Sequence, residues 1–252
     1  MKLKGQQSRD AVLAECKKIL DSYPHMKLKE KNGLAMLEGR IILEAHYNGV
    51  HLSDYYECRL VLPQEYPGEL PVFYELSDKV PKEFGHKYSD CSCCLGVEAD
   101  LRIRFAKNQT LEYFIKEFVY SYLYSATYFR RFGSYPFGQR SHDTQGVLEF
   151  YLEFWGVVEE RTVLSLMHLA LLPRYNLRPL PWSIVDDIRG VGYNIEQFRV
   201  ISSPDLSKML CRDYLNLLSY YVRRSCNTCP IKYFPKDLKK HRSKKLKEFQ
   251  SI

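Results

Sequence analysis

The segment Pro63-Gln-Glu-Tyr-Pro-Gly-Glu-Leu-Pro71 carries three prolines in nine residues. Each proline fixes its own φ, lacks a backbone N–H and pushes the preceding residue out of the helical region. The segment therefore reads as a fixed, non-helical turn. It joins two stretches with strand character, Tyr55 to Pro63 and Pro71 to Leu76. A third stretch, Leu34 to Ala45, alternates roughly around Gly39-Arg-Ile-Ile-Leu-Glu-Ala45. Asn48-Gly49 then gives a strong hairpin signal. Together these predict an antiparallel meander.

Residues 8–22 precede it as an amphipathic helix. Ser8 is a candidate cap, and Val12, Leu13, Cys16, Ile19 and Leu20 share one face before Pro24 ends the helix. After the meander comes His86-Lys-Tyr-Ser-Asp-Cys-Ser-Cys-Cys-Leu-Gly96. It holds three of the eight cysteines and shows no clear period, so it reads as an irregular, partly exposed loop. A helix follows from Thr110 to Tyr124, capped by Asn108 or Thr110, with Leu111, Phe114, Ile115, Phe118, Val119 and Leu123 as its apolar stripe. Tyr128 to His142 reads as irregular, and a boundary falls there. Beyond it Val147 to Trp155, Thr162 to Leu172 and Leu206 to Arg223 have helical periodicity. The expected organisation is a domain over 1–142, a helical extension over 143–225 and a basic tail over 226–252.

Composition bounds the function classes. Of 252 residues 45% are hydrophobic, enough for a packed core. No apolar run is long enough to cross a membrane, and the N-terminus lacks the apolar stretch of a signal peptide. A cytoplasmic protein with no membrane partner is expected, its cysteines reduced and available for catalysis or metal binding. The net charge is +7, of which +5 lies in residues 236–252. The basic signal thus belongs to a tail. A solvated tail is the plain reading; contact with nucleic acid or an acidic partner is the sharper one.

The order of elements over residues 8 to about 125 resembles a ubiquitin-conjugating enzyme domain. Leu37-Glu-Gly-Arg-Ile41 is similar to that family's first-strand pattern. Cys58-Arg-Leu-Val-Leu-Pro-Gln-Glu-Tyr-Pro-Gly-Glu-Leu-Pro-Val72 is similar to its strand and Tyr-Pro…Pro signature. His86 stands where the family has His-Pro-Asn, and Cys94-Leu95 where it has its catalytic Cys-Leu pair. His86-Lys87-Tyr88 departs from His-Pro-Asn, so the asparagine used near the oxyanion is missing, and the interval to Cys94 is short. These departures, with Gly133 to Tyr151, resemble the prokaryotic branch found in antiphage defence operons.

The resemblance implies an α+β fold: a leading helix, a four-stranded antiparallel meander, a long helix and a C-terminal helical extension. It also implies a transferase that carries a ubiquitin-like modifier, or the C-terminus of a nucleotidyltransferase, as a thioester. An activating enzyme would load it, and an amine would receive the acyl group. Cys94 is the nucleophile this assigns, with Cys93 and Cys91 as packing or redox bystanders. Such a thiol must ionise to attack, and a donor must stabilise the oxyanion. His86 either orients the loop or raises thiolate character, or else is a structural hydrogen-bonding residue. Asn108 has an amide able to replace the missing donor; its plainer role is a helix cap. Asp100 is a candidate amine-orienting carboxylate, and His142 reaches the site only if its loop folds back. A catalytically inactive binding scaffold of the same fold is the alternative, favoured by the missing asparagine and opposed by Cys94-Leu95.

Two metal readings compete. His86, Cys91, Cys93 and Cys94 offer four donors, but Cys91-x-Cys93-Cys94 crowds three of them too closely for ordinary zinc. The second is Cys226-x-x-Cys229 with His241. The segment from Cys229 to His241 has the length, first cysteine and last histidine of a zinc motif that ends many prokaryotic members. Ile231 and Lys240 replace two ligands, so a structural zinc there needs a fourth donor, for example Cys211, or the motif is degenerate.

Overall fold

The structure, a computed structural model, describes residues 9–141, 143–175, 177, 179–180 and 182–223. The chain divides into two compact units, Met1–Arg140 and Ser141–Ile252. The fold class is α+β.

In the first unit α1 (Arg9–Ser22) buries Cys16 and Ile19. Four antiparallel strands follow in sequential order: β1 (Met26–Lys31), β2 (Leu34–Tyr47), β3 (Val50–Val61) and β4 (Val72–Glu75). Both leading turns are Asn-Gly pairs with positive φ, Asn32-Gly33 and Asn48-Gly49, as tight hairpins require. The register sets Leu28 opposite Leu37, Ile41 opposite Tyr56, and Leu60 opposite Phe73. Strand alternation places Leu37, Ile41, Leu43, Tyr56, Cys58, Leu60 and Phe73 in one core. Gly39 is obligatory: a Cβ there would lie 2.1 Å from the His25 carbonyl oxygen.

β1 is not among the strands the apolar pattern predicts. Its sequence, Met-Lys-Leu-Lys-Glu-Lys, is an edge strand whose lysines mask the alternation. β3 likewise begins five residues earlier than expected, because it pairs with all of the second half of β2.

The proline turn pins the sheet to the helices. Tyr66 is fully buried against Phe105, and its hydroxyl donates to Glu15 Oε1 at 3.2 Å. The same oxygen accepts Leu111 N–H at 2.6 Å, and Arg102 donates to the Gly68 carbonyl at 2.8 Å. Leu111 opens α3 (Leu111–Phe114), capped by Thr110 Oγ1, which accepts Tyr113 N–H. The helix continues through a π turn (Ile115–Val119) into α4 (Tyr120–Phe132). It therefore runs eight residues past the predicted end at Tyr124 and stops at Gly133, whose φ is +69°. Tyr124, Tyr128 and Phe132 form a ladder of ring contacts that extends it. α2 (Glu98–Phe105) lies before α3 and buries Ala99, Leu101, Ile103 and Phe105.

α4 packs tyrosine rings into the core while their hydroxyls bond outward. Tyr120 donates to the Ile42 carbonyl, Tyr124 to that of Val50, and Tyr122 to that of His86. This use of an apolar ring with a polar tip accounts for part of the count of 20 tyrosines.

The second unit is helical over its described residues: α5 (Asp143–Trp155), α6 (Glu160–Tyr175), α7 (Trp182–Val191), α8 (Ile195–Ile201) and α9 (Pro204–Arg223). α6 packs against each of the other four. Two polar pairs sit in its core, Tyr151 to Asp213 at 3.0 Å and His168 to Tyr214 at 2.8 Å. α7 and α8 are not among the helices the periodicity predicts; they are short, at ten and seven residues. Asn194 caps α8 by accepting the N–H groups of Glu196 and Gln197. Among the described residues no helix is long and apolar enough to cross a membrane.

Candidate active site

The cysteine segment is not an irregular loop. A short 3₁₀ turn, Lys82–Phe84, ends at Gly85 with φ +72°. Phe84 is buried among Tyr122, Phe129 and Tyr135, and Tyr135 donates to the Phe84 carbonyl at 2.8 Å. From that anchor the chain forms a small hairpin. Tyr88 N–H donates to Ser92 O at 2.8 Å and Cys94 N–H to His86 O at 2.9 Å, with Lys87 opposite Cys93. The turn closes with Cys91 N–H to Tyr88 O, and Cys91 takes a left-handed φ of +68°. This is a three-residue hairpin loop with a bulge, where the left-handed position is normally glycine. Asp90 Oδ1 steadies it by accepting Ser92 N–H and Oγ–H, and these bonds lower the Asp90 pKa. A cysteine at the bulge and the lack of glycine hid the hairpin from sequence reasoning.

The hairpin docks as an added arm on β4. Cys93 N–H donates to Phe73 O at 2.9 Å, and Glu75 N–H donates to Cys91 O at 3.1 Å. A buried ion pair locks it, beside a longer one from Lys87 to the exposed Asp78 at 3.3 Å. Glu75 Oε2 accepts from Lys87 Nζ at 2.6 Å; Glu75 is fully buried and the Lys87 side chain is only 14% exposed. The other carboxylate oxygen accepts Ser77 N–H at 2.8 Å and its hydroxyl. Desolvation pulls the Lys87 pKa down, but the hydrogen bond and charge of Glu75 more than offset it, so the pKa is raised.

Alternation along the two arms sorts the thiols. Lys87 and Cys93 share one side, toward the core. Cys93 lies beside Tyr122, and burial pushes its thiol up to about 11. Beneath it Cys58, fully buried, is pushed well above the ordinary thiol range by desolvation and then by the Glu75 charge. His86, Tyr88, Ser92 and Cys94 occupy the other side. Cys94 is half-buried, and its Sγ makes only a long contact, 3.9 Å, to the Gly96 carbonyl. His86 is the direct cross-strand neighbour of Cys94, and such pairs place their Cβ atoms about 5 Å apart. The His86 ring packs edge-on against Phe84 and Tyr135, with centroids at 5.0 and 5.9 Å.

Opposed faces also keep Cys93 from joining His86 and Cys94 around one ion. Among the described residues no group of three His, Cys, Asp or Glu side chains could hold a metal. Cys226, Cys229 and His241 lie outside the described residues, as do His142 and the cap residue Ser8. Cys211, the suggested fourth ligand, is buried in α9. Asn108 is exposed beyond the far end of α2, a helix of eight residues and thus about 12 Å long. Its Oδ1 accepts the Thr110 hydroxyl at 3.0 Å. Asp100 sits in the first turn of α2 and pairs with Arg104 at 3.8 Å. The structure thus brings His86 and Cys94 together and leaves Asn108 at the opposite end of α2. Glu75 and Lys87, which hold the site, gave no sequence signal beyond a carboxylate at an inward strand position.

No family model, no curated protein and no solved structure matches this chain.

Proposed function

We propose that the chain is a cysteine-dependent acyl transferase of the ubiquitin-conjugating type, with Cys94 as the nucleophile. One observation carries this reading. Of three clustered thiols, Cys91 occupies a strained turn position, Cys93 is buried with a raised pKa, and Cys94 stands half-open beside His86. A hairpin held by a buried ion pair gives such a thiol a fixed position, which transfer chemistry rewards. The four-stranded meander, the proline turn and the long helix fit a ubiquitin-conjugating-like domain. The acyl group would be the C-terminus of a ubiquitin-like modifier or of a nucleotidyltransferase, delivered by an activating enzyme and passed to an amine. Bacterial antiviral defence in the cytoplasm is the setting that fits this chemistry. Any structural zinc would belong to the segment of Cys226, Cys229 and His241.

The test is adduct formation. With a cognate activating enzyme and modifier, the wild-type chain should form a thiol-reducible adduct that Cys94→Ala abolishes. An adduct that survives Cys94→Ala and disappears with Cys91→Ala or Cys93→Ala overturns the assignment. The scaffold reading has its own support, since Asn108 lies beyond the far end of α2, where its Oδ1 accepts the Thr110 hydroxyl. It predicts that no cysteine alkylates selectively in the folded chain.

A further inference from the structure

An acyl transfer of this kind needs a hydrogen-bond donor at the oxyanion, and Asn108 is at the wrong end of α2 to supply it. We propose that the Tyr88 phenol is that donor. The inference rests on Cys94 being the acyl carrier.

The argument is one of register. Tyr88 stands directly opposite Ser92 and Cys94 directly opposite His86, as their backbone bonds of 2.8 and 2.9 Å require. Tyr88 and Cys94 are therefore diagonal neighbours on one side of the hairpin. Such diagonals lie about 7–8 Å apart, within reach of an aromatic side chain. Tyr88 is 61% exposed and stands on the side of the hairpin that carries Cys94. The other neighbour, His86, is held edge-on by Phe84 and Tyr135. The backbone under Tyr88 is fixed on both sides, by the Lys87–Glu75 ion pair and by the turn bond from Cys91 N–H. The donor is thus mounted on a rigid element, the condition for electrostatic preorganisation.

In the step concerned, the nitrogen lone pair of an amine attacks the carbonyl carbon of the Cys94 thioester. A C–N bond forms, and the carbonyl oxygen takes the electron pair and accepts the Tyr88 O–H. The oxyanion then collapses, the C–S bond breaks, and Cys94 leaves as a thiolate. The excess amine proton passes to water, and no oxidant or reductant is involved.

The experiment uses the full chain and a peptide ending in glycine, activated as its mercaptoethanesulfonate thioester. Exchange loads the acyl group, and peptide mapping locates it. Discharge to free lysine is then followed by mass spectrometry. The expected result is loading of Cys94 at an equal rate in wild type and Tyr88→Phe, with discharge slowed ~100-fold in the variant. Discharge within about threefold of wild type overturns the role of Tyr88 and leaves the acyl-carrier reading standing. Equal losses in loading and discharge also overturn it, since a purely structural role would produce them. A wild-type chain in which Cys94 does not load, or discharges no faster than a free cysteine thioester, overturns the acyl-carrier reading and this inference with it.

Discussion

Replacing Lys87 with methionine tests whether the thiol hairpin is held by a buried ion pair. The substitution keeps the length of the side chain and removes its charge. Glu75 then stays in the core as a carboxylate bonded only through its Ser77 contacts and its backbone. Removing one partner of a buried pair costs ~3–5 kcal/mol. The retained Ser77 bonds and the partial exposure of Lys87 favour the low end, about 3 kcal/mol. For a unit of this size that corresponds to a midpoint roughly 10 °C lower. The assay is alkylation of Cys58 against temperature, mapped by mass spectrometry, because that thiol is fully buried next to Glu75. The double variant Glu75→Gln/Lys87→Met leaves an acceptor for Ser77 and no orphan charge, and should return to within about 1 kcal/mol of wild type. The pH dependence follows from the raised pKa of Lys87. A basic group whose folded pKa exceeds its unfolded value contributes fully below the unfolded value, about 10.4, and loses its contribution as pH rises through the folded one. The gap between variant and wild type should stay level from about pH 6 to 9 and close only above about 10.4. A single-variant midpoint within about 2 °C of wild type would refute the reasoning, for it would mean the pair is screened like a surface contact.

Two other substitutions probe the same unit. Gly39→Ala should cost about 3 kcal/mol, at the upper end for overpacking, because its Cβ meets the His25 carbonyl. A urea midpoint unchanged from wild type would contradict the close approach of β1 and β2. Cys91→Gly relieves a left-handed φ on a side-chain-bearing residue and should stabilise by up to about 1 kcal/mol. It should also leave the alkylation rate of Cys94 unchanged, and a fall in that rate would assign Cys91 a chemical role.

The sheet was legible where apolar alternation and turn residues agree. Leu34 to Ala45, Asn48-Gly49 and the proline turn each carry a local signal, and all three are realised. β1 was hidden because Lys27, Lys29 and Lys31 protect an edge rather than build a core. The hairpin was hidden because its bulge carries a cysteine, so reactive side chains stood where turn chemistry would normally show. The extension of α4 to Phe132 rests on ring contacts among Tyr124, Tyr128 and Phe132, whose four-residue spacing is a helical signal set among irregular aromatic and glycine residues. At the candidate site, the resemblance singles out Cys94 and His86, and the structure sets the two opposite each other across the hairpin. The partnership of Glu75 with Lys87 spans twelve residues and depends on sheet register, which no local pattern encodes.

The docking of the thiol hairpin on β4 has a consequence for solubility. A sheet of four strands has two open margins, and each presents unpaired N–H and C=O groups that recruit other chains. On one margin β1 answers with charge. On the other, the hairpin itself covers β4, satisfying Phe73 O and Glu75 N–H. The thiol hairpin is therefore also the guard of that margin. Any ligand or substitution that peels the hairpin away to widen access to Cys94 uncovers Val72-Phe-Tyr-Glu75, a β-prone stretch with one charge in four residues. Variants engineered for a roomier thiol should aggregate before they lose their fold, which sets a limit on how far this hairpin can open.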